Sequence, residues 1–175
     1  MSNCGCNSNS TQNGCDCSTN IKAEVACPTC QTYGLKVSAL TIRSQVKKEP
    51  LKLLEADLEK FHFCTNPECN TVYYNDTQIV VVQDEIKSKV TIKNSDASTP
   101  LCYCKKLLKE QFYQMLRDNE PNIAQKIKSI ITDGKSFCEK SNPKGICCTE
   151  DIKSFLAEHG ISWDEENTSG SGCCH

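Results

Sequence analysis

Cysteine is the residue whose abundance needs a chemical explanation: the chain carries 15 in 175 residues. Thiolates are soft ligands and nucleophiles, so such a density points to disulfides or to metal. Disulfides require an oxidising compartment. The opening run MSNCGCNSNSTQNGCDCSTN has neither the basic nor the apolar stretch of an export signal. An odd count would also leave one thiol over. The expectation is thiolate–metal coordination in a cytoplasmic protein.

Two sets stand in the middle of the chain. Cys27-Pro-Thr-Cys30 and Cys64-Thr-Asn-Pro-Glu-Cys69 are two close pairs, each on a turn stiffened by Pro28 or Pro67. That is the layout of a structural tetrathiolate site. Zinc suits it, since Zn²⁺ accepts four sulfurs tetrahedrally at about 2.3 Å and has no redox chemistry to control. His62, two residues before Cys64, would face the same way on a strand and is a substitute ligand. A redox Cys-x-x-Cys is disfavoured, because the pair precedes a strand instead of opening a helix. The second set is Cys102-Tyr-Cys104, Cys138 and the vicinal Cys147-Cys148. The turn Ser141-Asn-Pro-Lys-Gly145 can return Cys138 toward the vicinal pair. With Cys102 and Cys104 expected at a helix start, free N–H groups and the helix dipole would favour an anionic cluster such as [2Fe–2S]. Spacing alone leaves a second zinc site open.

A third group lies in the tails: Cys4-Gly-Cys6, Cys15-Asp-Cys17 and Cys173-Cys174-His175. Their surroundings are Ser, Asn, Thr and Gly, a composition that cannot bury enough surface to offset ordering entropy. Thiolates on such segments suit Cu(I), Hg(II) or As(III), which accept two or three sulfurs without a preformed cage. About ten flexible residues span on the order of 15–20 Å, so a tail can present metal to a partner or to the core.

The elements that must position these thiols are read from periodicity. Residues 24–97 read as a small zinc-bound sheet and helix unit. It has a β-like run at Leu35–Ile42 and an amphipathic helix near Pro50–Lys60 carrying Leu51, Leu54, Leu58 and Phe61 on one face. Further strands are expected at Thr71–Tyr74, Ile79–Val82 and Val90–Ile92. Residues 98–160 read as helical. The expected helices are Lys105–Arg117, Pro121–Thr132 with Gly134 as its C-cap, and one opened by Thr149 as N-cap and stopped by Gly160. The fold class is therefore α+β, with disordered cysteine tails at 1–23 and 161–175.

Composition narrows the function classes. A formal net charge of −2 gives no extended electrostatic footprint for nucleic acid. No run of eighteen apolar residues is present for a membrane span. There is no Ser/His/Asp set, phosphate-binding glycine loop or carboxylate constellation. A redox-active thiol or metal reduction at a cluster is the only chemistry in view, so an enzyme is not expected.

The run PLCYC, the gap to Cys138 and the segment NPKGICCTEDI resemble bacterioferritin-associated ferredoxin-like [2Fe–2S] domains. Together with the upstream pairs and the run FHFCTNPECNTVYY, residues 24–157 resemble the amino-terminal domain of CopZ-type copper chaperones. The resemblance implies one zinc and one [2Fe–2S] cluster in one unit. Carried over by position, zinc would be held by Cys27, Cys30, Cys64 and Cys69. The cluster would be held by Cys102, Cys104, Cys138 and Cys148, with Cys147 as the alternative to Cys148. Full-length members resemble a fusion with a ferredoxin-like heavy-metal-associated module that carries the copper-transfer Cys-x-x-Cys. No such module follows residue 160 in this sequence, and the expectation is that the tails do its handling.

The leading function is thus a copper or other soft-metal chaperone or resistance protein that reduces Cu(II) to Cu(I) and passes it to a partner such as a copper-transporting ATPase. The alternatives are a small [2Fe–2S] electron-transfer protein with a structural zinc, and a zinc-ribbon-like nucleic-acid or protein adaptor.

Overall fold

Residue 38 is where local chemistry and apolar patterning first compete. The run Leu35–Ile42 is rich in strand formers, yet Ser38 caps a helix: its Oγ accepts from the Thr41 N–H at 3.3 Å. In the computed structural model, which describes residues 25–163, strand β1 is only Leu35–Lys36 and the remainder belongs to helix α1, Ala39–Gln45. The expected longer strand is thereby corrected. Ala39, Ile42 and Val46 lie at helical spacing and are all buried, which a strand would not achieve. Helix α2, Lys48–Leu54, is shorter than expected, and a separate 3-10 turn at Leu58–Lys60 follows. The break lets Leu54, Leu58 and Phe61 all reach the core.

Strands β2 (His62–Phe63), β3 (Thr71–Tyr74) and β4 (Val80–Val82) complete an antiparallel sheet of order β1-β2-β3-β4. Its register pairs Leu35 with Phe63, His62 with Tyr74, and Thr71 with Val82. The β3–β4 turn is set by buried Asn75, whose Oδ1 accepts from the Thr77 N–H at 3.1 Å and the Ile79 N–H at 2.9 Å. One hydrophobic cluster forms between this sheet and α1, around Ile42, Phe61, Phe63 and Tyr73, each fully buried. Each such side chain contributes about 1.5–3 kcal/mol by burial. Val90–Ile92 is not a strand. It is a turn whose Thr91 hydroxyl donates to the Pro100 carbonyl at 2.7 Å, while Val90 and Ile92 pack on the same cluster.

The second half opens with a hairpin, not a helix. Strands β5 (Pro100–Cys102) and β6 (Leu107–Leu108) pair antiparallel, and helix α3 begins only at Lys109 and runs to Arg117. Lys106, in the hairpin turn, takes φ 54°. The expected helix start at Lys105 is therefore corrected: the β5–β6 ladder uses the backbone bonds that an earlier helical turn would need. Helices α4 (Ile123–Thr132), α5 (Cys138–Ser141) and α6 (Thr149–Glu158) follow. Gly134 takes φ 64° just past α4, as its capping position requires. The residue capping α6 is Cys148; Thr149 is its first helical residue, not its cap. A second hydrophobic cluster gathers Leu101, Phe112, Ile127, Ile152 and Leu156.

The two clusters are stitched together across α5. The Tyr73 hydroxyl donates to the Pro143 carbonyl at 2.7 Å. From α1, Thr41 and Gln45 donate to α5 carbonyls.

Candidate metal centres

The first thiol set converges. The sulfurs of Cys27, Cys30, Cys64 and Cys69 all lie within 4.8 Å of one another, and Cys30 Sγ is 3.6 Å from Cys64 Sγ. A tetrahedral ion with bonds of about 2.3 Å needs sulfurs ~3.8 Å apart, so the set can close on one zinc ion with shifts of no more than about 1 Å. Two loops deliver it. In the first, the Gln31 N–H donates to the Cys27 carbonyl at 2.8 Å, and Gln31 takes φ 60° to close the turn. In the second, the Cys69 N–H donates to the Asn66 carbonyl at 3.3 Å, and Asn66 Oδ1 accepts from the Glu68 N–H at 3.0 Å. The Thr29 and Thr71 hydroxyls join the loops at 2.8 Å. Lys93 donates to the Cys69 carbonyl at 3.0 Å and to the Asn66 carbonyl.

Gly34 completes this seat. A Cβ there would stand 2.2 Å from the Phe63 carbonyl oxygen and 2.5 Å from the Tyr74 hydroxyl oxygen. The close approach lets the Tyr74 hydroxyl reach the Val25 carbonyl at 2.8 Å, tying the chain just before Cys27 to β3. Cys27, Cys64 and Cys69 are buried and Cys30 is half-buried. His62 is not in the group; its ring stacks on Tyr74 with centroids 5.8 Å apart.

Protonation within the set is uneven. Burial raises the Cys30 thiol, but hydrogen bonds to Thr32, Cys64 and Cys27 outweigh it and lower the thiol to about 6. Burial, together with the Cys30 contact, pushes Cys64 up to about 12. One sulfur of this pair is thus ready to ligate while its neighbour gives up its proton on metal binding.

The second thiol set converges differently. Cys104 Sγ lies 3.5 Å from Cys138 Sγ. Cys102 and Cys148, both buried, hydrogen-bond to each other; that bond holds Cys102 down at about 6 and pushes Cys148 up. The sulfurs form two pairs: among the described residues, only the Cys27 set keeps three or more ligand atoms mutually within 4.8 Å. Cys147 is half-buried and bonds sideways to the Thr149 hydroxyl at 3.1 Å. The expected helix-start environment for Cys102 and Cys104 is corrected, since both sit in the β5–β6 hairpin. Their contacts come from elsewhere: the Phe137 N–H donates to Cys104 Sγ at 3.2 Å, and the Ser141 hydroxyl, which donates to the Phe137 carbonyl at 2.8 Å, stands 3.0 Å from the same sulfur. Sequence reasoning missed these contacts. A backbone N–H leaves no mark in the sequence, and Ser141 reads as an ordinary turn residue. Cys4, Cys6, Cys15, Cys17, Cys173, Cys174 and His175 lie outside the described residues.

Comparison with known proteins agrees with this geometry. Residues 24–87 match the family model described as a zinc binding domain of the CopZ type. The copper chaperone CopZ of Archaeoglobus fulgidus is 32% identical over 123 residues, a match covering 70% of this chain. The chain spans 57% of that relative's length. The X-ray structure of the Archaeoglobus fulgidus CopZ N-terminal domain superposes with a TM-score of 0.61 at 26% identity, covering 78% of this chain and 98% of that one. No helix among the described residues is long and apolar enough to cross a membrane. Residues 24–87 therefore belong to the CopZ-type zinc-binding domain family, and the described chain has the α+β fold of the CopZ amino-terminal domain.

Proposed function

We propose that this protein is a cytoplasmic copper or other soft-metal chaperone or resistance protein built on two resident metal centres. Cys27, Cys30, Cys64 and Cys69 hold zinc. Cys102, Cys104, Cys138 and Cys148 hold a [2Fe–2S] cluster. The observation that carries the reading is the contrast between the sets. Four sulfurs mutually within 4.8 Å suit one tetrahedral ion. Two separate sulfur pairs suit a binuclear centre, which takes two thiolates on each iron. A single zinc ion would need the second set gathered like the first. Cys148 is favoured over Cys147 because it pairs with Cys102 while Cys147 turns to Thr149.

When bound and reduced by an external electron donor, the cluster would supply one electron to Cu(II), becoming oxidised itself and leaving the Cu(I) favoured by thiolates. The chain's own residues supply the seat: the Phe137 N–H and the Ser141 hydroxyl meet Cys104, and the buried Cys102–Cys148 pair keeps water from the other side. Cys4, Cys6, Cys15, Cys17, Cys173, Cys174 and His175 bind the copper cargo. The name of the Archaeoglobus fulgidus relative supports the cargo, and a copper-transporting ATPase is the partner that such cargo implies.

Anaerobic purification after adequate iron supply tests the resident centres. Two irons and one zinc per chain with visible cluster absorption are expected; colourless, iron-free protein carrying two zinc ions refutes the cluster. Cu(I) titration of the full chain against a form lacking residues 1–20 and 173–175 tests the cargo. The truncated form is expected to lose Cu(I) capacity while keeping zinc and iron. Equal capacity would leave an electron-transfer protein.

A further inference from the structure

Cluster ligand Cys138 opens α5, a helix of only four residues, Cys138–Ser141. So short a helix has little stability of its own. What holds it comes from the other hydrophobic cluster. Thr41, fully buried on α1, donates its hydroxyl to the Glu139 carbonyl at 2.8 Å, across 98 residues of sequence. One turn on, buried Gln45 donates Nε2 to the carbonyls of Lys140 and Ser141 at 2.6 and 3.0 Å. These are α5 carbonyls left without helical partners, so α1 serves as the missing next turn. Gly145 follows the same contact: at φ 69°, a Cβ there would meet the Thr41 hydroxyl oxygen at 2.6 Å. The loop therefore lies directly on Thr41 as it returns to Cys148.

We infer that Thr41 and Gln45, residues of the zinc-bearing half, are positioning residues for the cluster: through their bonds to the α5 backbone they fix Cys138 against Cys104. The inference rests on the cluster reading above and adds that the cluster's seat is built from the zinc side. Ser141 extends the chain of contacts. Its carbonyl takes the Gln45 bond, and its hydroxyl lies 3.0 Å from Cys104 Sγ. A displaced α5 thus disturbs a ligand and a neighbour of the sulfur together, and hydrogen bonds around cluster sulfurs tune potential.

The test uses the full chain purified without air, comparing wild type with Thr41→Val, Thr41→Ser and Gln45→Leu. Zinc content, iron content, cluster midpoint potential and the rate of iron loss to a chelator are measured. Thr41→Val and Gln45→Leu are expected to keep zinc, to shift the potential and to lose iron roughly tenfold faster, the usual scale for residues that orient metal ligands. Thr41→Ser, which keeps the hydroxyl, is expected to behave as wild type. Unchanged potential and iron loss in both Thr41→Val and Gln45→Leu overturn the inference, as does a Thr41→Ser defect equal to that of Thr41→Val. If the α1 variants fail to fold, Tyr73→Phe decides. It deletes only the hydroxyl bond to the Pro143 carbonyl of the same loop, and a wild-type potential and iron-loss rate in that variant overturn the inference. Iron-free wild type would instead sink the cluster reading itself, a distinguishable outcome.

Discussion

Gly34→Ala is the substitution with the clearest predicted cost. The added methyl would stand 2.2 Å from a backbone oxygen, that of Phe63, and real Cβ contacts essentially never fall under 3.0 Å. Strand β2 must therefore retreat by the better part of an ångström. Phe63 is fully buried in the first hydrophobic cluster and adjoins Cys64 of the converging thiol set, so the retreat loosens packing and the candidate zinc seat together. The Tyr74 hydroxyl, 2.5 Å from the same Cβ, is displaced from its bond to the Val25 carbonyl. Overpacking alone costs about 1–3 kcal/mol, and a lost buried hydrogen bond adds about 1 kcal/mol. A total of about 3 kcal/mol lowers Tm by roughly 6–12 °C for a chain of this size. The assay is denaturant and thermal unfolding of zinc-loaded protein, with zinc release to a chromogenic chelator followed in parallel. Gly34→Ala with wild-type Tm and release rate would refute the claim that β1, β2 and the zinc loops form one tightly packed seat.

Two further predictions address the second half. Lys144 and Asp151 form an ion pair at 2.7 Å with side chains only 15% and 11% exposed. Lys144→Ala should cost about 3 kcal/mol by stranding a nearly buried carboxylate, and Lys144→Met with Asp151→Leu should recover most of it, as measured by a double-mutant cycle in urea. Lys109 is buried, donates to the Thr91 and Asn94 carbonyls at 3.2 and 2.6 Å, and lies 5.2 Å from the Phe155 ring centre. Burial lowers its pKa from 10.5. The unfolded chain then holds the Lys109 proton more tightly than the native one, so this residue adds stability as pH rises from the lowered native value toward 10.5. Lys109→Met should flatten that rise in urea melts at alkaline pH; an identical slope would refute it.

The sequence by itself determined which residues could bind metal and where several helices lie. Candidate ligand pairs such as Cys27/Cys30 and Cys64/Cys69 are local, so their spacing is visible before folding. Helices α4 and α6 were legible because their apolar residues repeat with helical period around an amphipathic face. Tertiary structure decided the rest. The run Leu35–Ile42 satisfies a strand pattern locally and becomes a helix start because Ser38 caps it and α5, about a hundred residues away, takes up its buried polar face. Cys102 and Cys104 fall in a hairpin instead of a helix because Pro100–Cys102 finds a ladder partner in Leu107–Leu108. Whether a second set of thiols gathers as one knot or as two pairs depends on inter-element distances. Spacing does not encode those distances; the packing of α1 against α5 does.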